Sequence, residues 1–170
     1  GAGNDVLSGG DGNDLLVSST TAGAGATDTL YGGDGIDTLY GAGLTGALMY
    51  GGDGNDSMYG GTMGDTLFGG AGDDNWIEGG GGSDLLYGEA GADTLRAGSD
   101  GDTLFGGAGA DVLYAALANS DSAGELLYGG DGADTLYAGL ALTGVSDSLY
   151  GGDGADKFVV TTNASSVLLS

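Results

Sequence analysis

Proline, cysteine and histidine are absent from this 170-residue chain, and its only basic side chains are Arg96 and Lys157, set against 25 acidic ones. Without cysteine there are neither disulfides nor zinc-thiolate sites. Without histidine or a thiol, the commonest general base and a common nucleophile are missing, and Lys157 stands alone. A net charge of −23 repels nucleic acid and anionic membrane surfaces alike. No apolar run nears the roughly 20 residues that span a bilayer; the longest near the end is Val167 to Leu169. There is no initiating Met and no basic leader, and the chain opens inside a repeat at Gly1, so the expectation is a piece of a longer protein.

What the chain has is glycine, 42 residues of it, and apolar residues at 40 %. Acidic chains are often disordered, but regularly spaced apolar residues can build a core once the charge is neutralised. The spacing is nine. Gly9 to Val17 reads GGDGNDLLV, Gly32 to Tyr40 GGDGIDTLY, Gly51 to Tyr59 GGDGNDSMY and Gly129 to Tyr137 GGDGADTLY, and the same register runs through about sixteen units up to Val159. Six small or polar residues suit a tight turn, and the last three places alternate out, in, out, as a half-buried strand does. The inward place holds Leu7, Leu16, Leu30, Leu39, Met49, Met58, Leu67, Leu86, Leu95, Leu104, Leu113, Leu127, Leu136, Leu149 and Phe158. Strand and turn repeated every nine residues make a β-solenoid.

These units resemble the GGxGxDxUx nonapeptides of the RTX (repeats-in-toxin, haemolysin-type) family. The resemblance implies an all-β fold, a right-handed parallel β-roll of about eight 18-residue coils, over residues 1–159. Residues 160–170 are then an exit or capping segment. At about 4.8 Å per strand the roll is a rod roughly 35 to 40 Å long, one leucine thick and thinly cored for its length.

Two units per coil put alternate turns on opposite edges. The even-numbered turns read GGDGND, GGDGID, GGDGND, GGAGDD, GEAGAD, GGAGAD, GGDGAD and GGDGAD. They bring Asp14, Asp37, Asp56, Asp74, Asp93, Asp111, Asp134 and Asp156 into one column. Carboxylates about 5 Å apart repel by about 3 kcal/mol at an effective dielectric near 20. Over seven gaps that sums to roughly 20 kcal/mol, more than the stability of an ordinary domain. The column therefore calls for cations, and all-oxygen ligands in a Gly-rich turn suit calcium better than zinc, copper or magnesium.

The family resemblance implies that each calcium sits between stacked turns on the sixth-place Asp and glycine carbonyls. Carried over, the glycines are Gly10, Gly12, Gly33, Gly35, Gly52, Gly54, Gly70, Gly72, Gly91, Gly107, Gly109, Gly130, Gly132, Gly152 and Gly154, giving about seven sites. The fifth even turn departs from the pattern, with Glu89 in the second glycine's place. The odd edge reads as mostly broken, although Asp65, Asp84 and Asp102 keep the sixth place in near-regular turns and are candidates to hold one or two more ions, with Asp5 a weaker candidate. Asp28 and Asp147 are expected to matter little to metal binding. For an isolated Asp-Gly the plain alternative is a turn residue bonded to its own backbone. No DxDxDG with a following Glu supports an EF-hand, and no phosphate-loop pattern occurs.

All nine tyrosines occupy the ninth place, with Phe68 and Phe105. They form outward ladders that either stabilise neighbouring strands or bind a glycan or protein. Thr29, Thr66 and Thr103 recur at the seventh place, but bulky neighbours interrupt the ice-binding pattern this would resemble. At Asn75 and Trp76 the register slips by one; the preferred reading is a bulge at Asn75, Ile77 inward and Trp76 outside, because Trp is too large for so thin a core.

Carboxylate pairs suited by type to glycoside hydrolysis are plentiful, yet they are committed to the metal. The chain is therefore read as a non-enzymatic module of a secreted, extracellular or cell-surface protein, of S-layer or adhesin type, and the RTX resemblance implies export by type I secretion with folding by external calcium. The alternatives are the C-terminal repeat region of a secreted enzyme or cytolysin, or a Tyr/Thr ligand face. Four odd-edge segments, around Ser18 to Thr27, Gly41 to Ala47, Ala115 to Gly124 and Ala138 to Ser146, are lengthened and carry Leu44, Leu117, Leu140, Leu142 and Val145. That edge is the expected surface for self-association or for cell-surface proteins or glycans.

Overall fold

The computed structural model describes residues 3–18, 26–41, 46–116, 123–139 and 146–160, and the backbone alone of 167–169. Every regular element among them is a strand. Nine strands, β1 (Val6–Asp11), β3 (Asp28–Asp34), β5 (Ala47–Asp53), β7 (Thr66–Ala71), β9 (Leu85–Ala90), β11 (Thr103–Ala108), β13 (Leu126–Gly132), β15 (Asp147–Gly154) and β17 (Val167–Leu169), form a first sheet in that order. Eight more, β2 (Leu15–Val17), β4 (Thr38–Tyr40), β6 (Ser57–Gly61), β8 (Trp76–Gly81), β10 (Thr94–Ser99), β12 (Val112–Tyr114), β14 (Thr135–Tyr137) and β16 (Lys157–Val159), form a second. All pairings are parallel. The chain alternates between the sheets, which makes a β-solenoid of the β-roll kind. Even turns lead from the first sheet to the second, and odd turns lead back.

The register follows from the core. Leu30, Met49, Leu67, Leu86, Leu104, Leu127 and Leu149 from the first sheet meet Leu39, Met58, Ile77, Leu95, Leu113 and Leu136 from the second, and all are fully enclosed. Leu7 and Phe158 close the two ends, partly buried. A one-residue slip would turn this row outward, so burial of each leucine, about 1.5 to 3 kcal/mol, also fixes the pairing.

Coil length is not a constant 18. Successive even-edge aspartates lie 23, 19, 18, 19, 18, 23 and 22 residues apart. The four lengthened segments all fall in connections from the second sheet to the first. Their interiors, 19–25, 42–45, 117–122 and 140–145, lie outside the described residues, and so do the apolar side chains singled out there. One further extra residue is Asn75. Ile77 pairs with Met58 and is fully enclosed, while Trp76 pairs with Ser57 on the outside, so the bulge takes up the slip. The backbone of the 160–170 segment rejoins the first sheet, where Val167 pairs with Asp147; residues 161–166 and 170 lie outside the described set.

In the even turns the second and fourth places have φ between 76 and 151°. A Cβ built on Gly33 would run into the Gly10 carbonyl oxygen of the preceding coil, and one on Gly35 into that of Gly12. Glu89 takes the same backbone shape, with φ 76°, at a cost of about 1 kcal/mol for a residue with a Cβ.

Glu89→Gly is therefore expected to raise stability by about 1 kcal/mol, whereas Gly33→Ala should lower it by more than that through collision with Gly10. Denaturant midpoints at saturating calcium check both, and a destabilised Glu89→Gly variant would contradict the strain.

Candidate metal centres

Each sixth-place aspartate ends a turn and starts a strand, so its side chain lies under the turn, where its Oδ1 reaches the backbone of the preceding coil. On the even edge one carboxylate oxygen is spoken for. Oδ1 of Asp37 accepts the N–H of Asp14, Oδ1 of Asp56 that of Asp37, and the relay continues through Asp74, Asp93, Asp111, Asp134 and Asp156 at 2.8 to 3.1 Å. The other oxygen is not. Oδ2 of Asp14, Asp37, Asp56, Asp74, Asp93, Asp111 and Asp134 is enclosed with no hydrogen-bond partner among the described residues.

What faces that oxygen is the first-place glycine. A Cβ on Gly9 would meet Asp14 Oδ2 at 2.5 Å and the Gly32 carbonyl oxygen of the next coil at 2.7 Å. Two oxygens from two coils thus converge on the space where a side chain would stand. The same cradle recurs at Gly32, Gly51, Gly69, Gly88, Gly106 and Gly129. The two cradles flanking Glu89, at Gly69 and Gly88, are intact. At Gly151 the nearest atoms are those of Asp156.

The odd edge is a second column rather than a broken one. Asp28, Asp65, Asp84, Asp102, Glu125 and Asp147 are all buried at the sixth place, with Ala47 the one apolar member. The carboxylates receive backbone N–H groups in the same direction: Asp28 from Asp5, Asp65 from Ala47, Asp84 from Asp65, Asp102 from Asp84 and Asp147 from Glu125. Asp28 and Asp147, expected to matter little to metal binding, are buried acceptors of backbone N–H groups. The sixth place closes the turn into the core whatever the length of the loop before it, so both acids became structural hydrogen-bond acceptors.

Open cradles are rarer on this edge. Gly60 and Gly79 stand before Asp65 Oδ2 and Asp84 Oδ2, which lack hydrogen-bond partners among the described residues. Before Asp102, Glu125 and Asp147 the first place is Ala97, Ala115 and Ala138, all buried, so a methyl group already occupies the equivalent space. Asp147 Oδ2 also accepts the Gly139 N–H at 2.8 Å. Asp102 thus joins the column without an open cradle, and Asp5 donates to Asp28.

At nine places among the described residues an enclosed Oδ2 without a hydrogen-bond partner faces a glycine cradle. This is the donor set a hard cation fits: a carboxylate oxygen and main-chain carbonyls, with no nitrogen or sulfur. No three acidic side chains gather into a metal-sized cluster among the described residues, so carbonyls must supply the larger share. Burial raises the aspartates well above their ordinary range, Asp65, Asp74 and Asp111 to about 7, Asp84 to about 8 and Asp93 to about 6, with backbone hydrogen bonds pulling the other way. Asp56 and Asp134 are raised for the same reason.

The outward rows offer less chemistry. On the first sheet Tyr31, Tyr50, Phe68, Tyr87, Phe105, Tyr128 and Tyr150 form one stack with centroids 4.8 to 5.0 Å apart and interplanar angles of 1 to 13°. Their faces are covered by one another and only edges point out, which suits strand stabilisation better than stacking on a sugar ring. The threonine row is interrupted, since Thr29, Thr66 and Thr103 alternate with Leu48, Leu85 and Leu126.

Carboxyl groups with raised folded pKa bind protons more tightly in the fold than in the unfolded chain, near 3.8 there. Their contribution to stability is complete below about pH 4 and is lost as pH rises through 6 to 8. In chelator, acidifying from pH 8 to 5 should increase the β signal in far-UV circular dichroism; an unchanged or weaker signal would contradict the burial. Asp147→Ala should cost about 1 to 3 kcal/mol, by orphaning two backbone N–H groups, with or without calcium. Asp74→Ala should shift the calcium midpoint instead, and equal shifts in both variants would erase the distinction.

The model for the RTX calcium-binding nonapeptide repeat matches residues 1–19, 22–43, 50–75, 59–95, 74–104, 90–119, 121–140 and 146–159, nearly the whole chain. No curated protein matches it. With the stacked turns, the parallel β-roll and the family match in agreement, the chain belongs to the RTX calcium-binding nonapeptide repeat family and is a calcium-binding β-roll module.

Proposed function

We propose that calcium occupies the nine cradles, seven on the even edge and two on the odd, and that this occupation switches the chain from disordered to folded. The observation that carries the reading is the convergence, at nine places among the described residues, of an Oδ2 without a hydrogen-bond partner and the next coil's carbonyl on a first-place glycine. Each ion would take Asp14, Asp37, Asp56, Asp65, Asp74, Asp84, Asp93, Asp111 or Asp134 with carbonyls of neighbouring turns, those of the second- and fourth-place glycines included. A divalent ion between two stacked carboxylates turns their repulsion into attraction, and its binding energy becomes folding energy.

In this reading the module stays unfolded where calcium is scarce and folds where it is millimolar, outside the cell. That suits an exported bacterial protein of surface-layer or adhesin type, with type I secretion as the route and calcium coupling folding to assembly. The parallel sheets, covered ring faces and absence of histidine and cysteine favour a spacer or scaffold over a reaction site.

In chelator at pH 7.5 the far-UV spectrum should be that of a disordered chain, and calcium at about 0.1 to 1 mM should bring up the β signal. Metal analysis of the saturated protein should find about nine ions per chain. Gly51→Ala, which puts a methyl group against Asp56 Oδ2, should remove about one ion and raise the midpoint several-fold. A chain already fully folded in chelator at neutral pH would sink the proposal.

A further inference from the structure

In a roll built of near-identical coils, a place where several repeat positions depart together is informative. Trp76 is the only tryptophan and Arg96 one of two basic residues, and the Asn75 bulge sets them side by side. Arg96 takes the ninth place, between Glu78 and Tyr114 at the same place of the coils on either side. Its guanidinium lies over the Trp76 ring, 4.0 Å from the centroid, and 5.0 Å from that of Tyr114. Arg96 Nε is enclosed and finds no hydrogen-bond acceptor among the described residues. Glu78 faces Arg96 across the strand pair, but its Oε2 accepts the Trp76 indole N–H at 2.7 Å.

Beside this cation opens a cleft of about 430 Å³, bordered by Glu78, Arg96, Ser99, Tyr114 and the side-chain-free backbone at Gly80 and Gly98. Its size is that of a small-molecule site. With both faces of the guanidinium covered by rings, a ligand reaches it in the plane, where N–H groups point outward. A planar carboxylate is the group that matches that edge. The remaining walls are the Ser99 hydroxyl, main-chain groups, the Tyr114 edge, the Glu78 carboxylate held by the indole N–H, and Ala97 and Ala115, a mixture of polar and carbon surface that suits a sugar ring with its hydroxyls and C–H faces better than an alkyl chain.

We infer that this cleft is a binding site for a carboxylate carried on a sugar-sized polar ring, a hexuronate. Arg96 holds the carboxylate, Trp76 and Tyr114 fix the plane of the guanidinium, and Ser99 faces the hydroxyl groups. The site lies on the outer surface of the second sheet, on side chains outside the nine cradles.

The single tryptophan makes the test direct. D-glucuronate is titrated into the calcium-saturated chain at constant ionic strength, with Trp76 emission and calorimetry as readouts and D-glucose as the uncharged control. A millimolar site saturates by about 20 mM. The expected result is saturable binding of glucuronate and none of glucose. Arg96→Gln should weaken it at least tenfold, and so should Ser99→Phe, which fills the cleft while leaving Arg96, Trp76 and Tyr114 unchanged in the sequence. Far-UV spectra at saturating calcium show that both variants are folded. No saturable signal with glucuronate, equal binding of glucose, or unchanged affinity in folded Ser99→Phe would each overturn the site.

Discussion

A carboxylate oxygen enclosed under a turn, with a hydrogen bond for its partner atom and none for itself, sets the terms for the whole molecule. Burying a charge without compensation costs far more than a coil of this roll can recover from one or two leucines. The same oxygen stands at nine places, each beside a glycine that leaves room. The fold is in this sense built around spaces intended for something else. Leucine rows and ring ladders set the register, while the state of those oxygens decides whether the register is populated. A proton or a divalent ion can relieve them, and only the ion also binds adjacent coils together.

The core and the even column were legible from spacing, because a strand alternates its side chains with period two and a stack repeats with the period of its coil. Ile77 was chosen over Trp76 on volume alone, and the structure puts it inside. The first-place glycines were not singled out. Their need for a bare Cα comes from a carboxylate five residues on and a carbonyl in another coil, neither of which marks the local sequence except as the first letter of the repeat. Glu125 was missed because a different acid, after a lengthened loop, hides the sixth place. The odd edge looked broken for the same reason: the eye follows the loop, while the backbone follows the leucine two residues after the acid.

On the second sheet the ladder Tyr40–Tyr59 and Tyr114–Tyr137 is interrupted, with Arg96 as a charged rung between Trp76 and Tyr114. Nothing in the residue types at the ninth place announces this, since an arginine there reads as a solvated charge. It is the bulge at Asn75, one residue long, that brings the indole within reach of the guanidinium. A repeat protein can therefore carry an individual feature at the cost of a single insertion, without disturbing the coils on either side.

The acceptor relay runs one way along the rod. Each aspartate N–H is received by the carboxylate of the coil that follows it, and each cradle is closed by the first-place carbonyl of that same following coil. The stack consequently has a grammar in which every unit is finished by its successor. Removing a coil takes the N–H donor from the Oδ1 of the coil after it, and takes from the coil before it both an acceptor for the aspartate N–H and the carbonyl that faces its glycine. The two faces of a coil are therefore not interchangeable, and coils can be joined only head to tail.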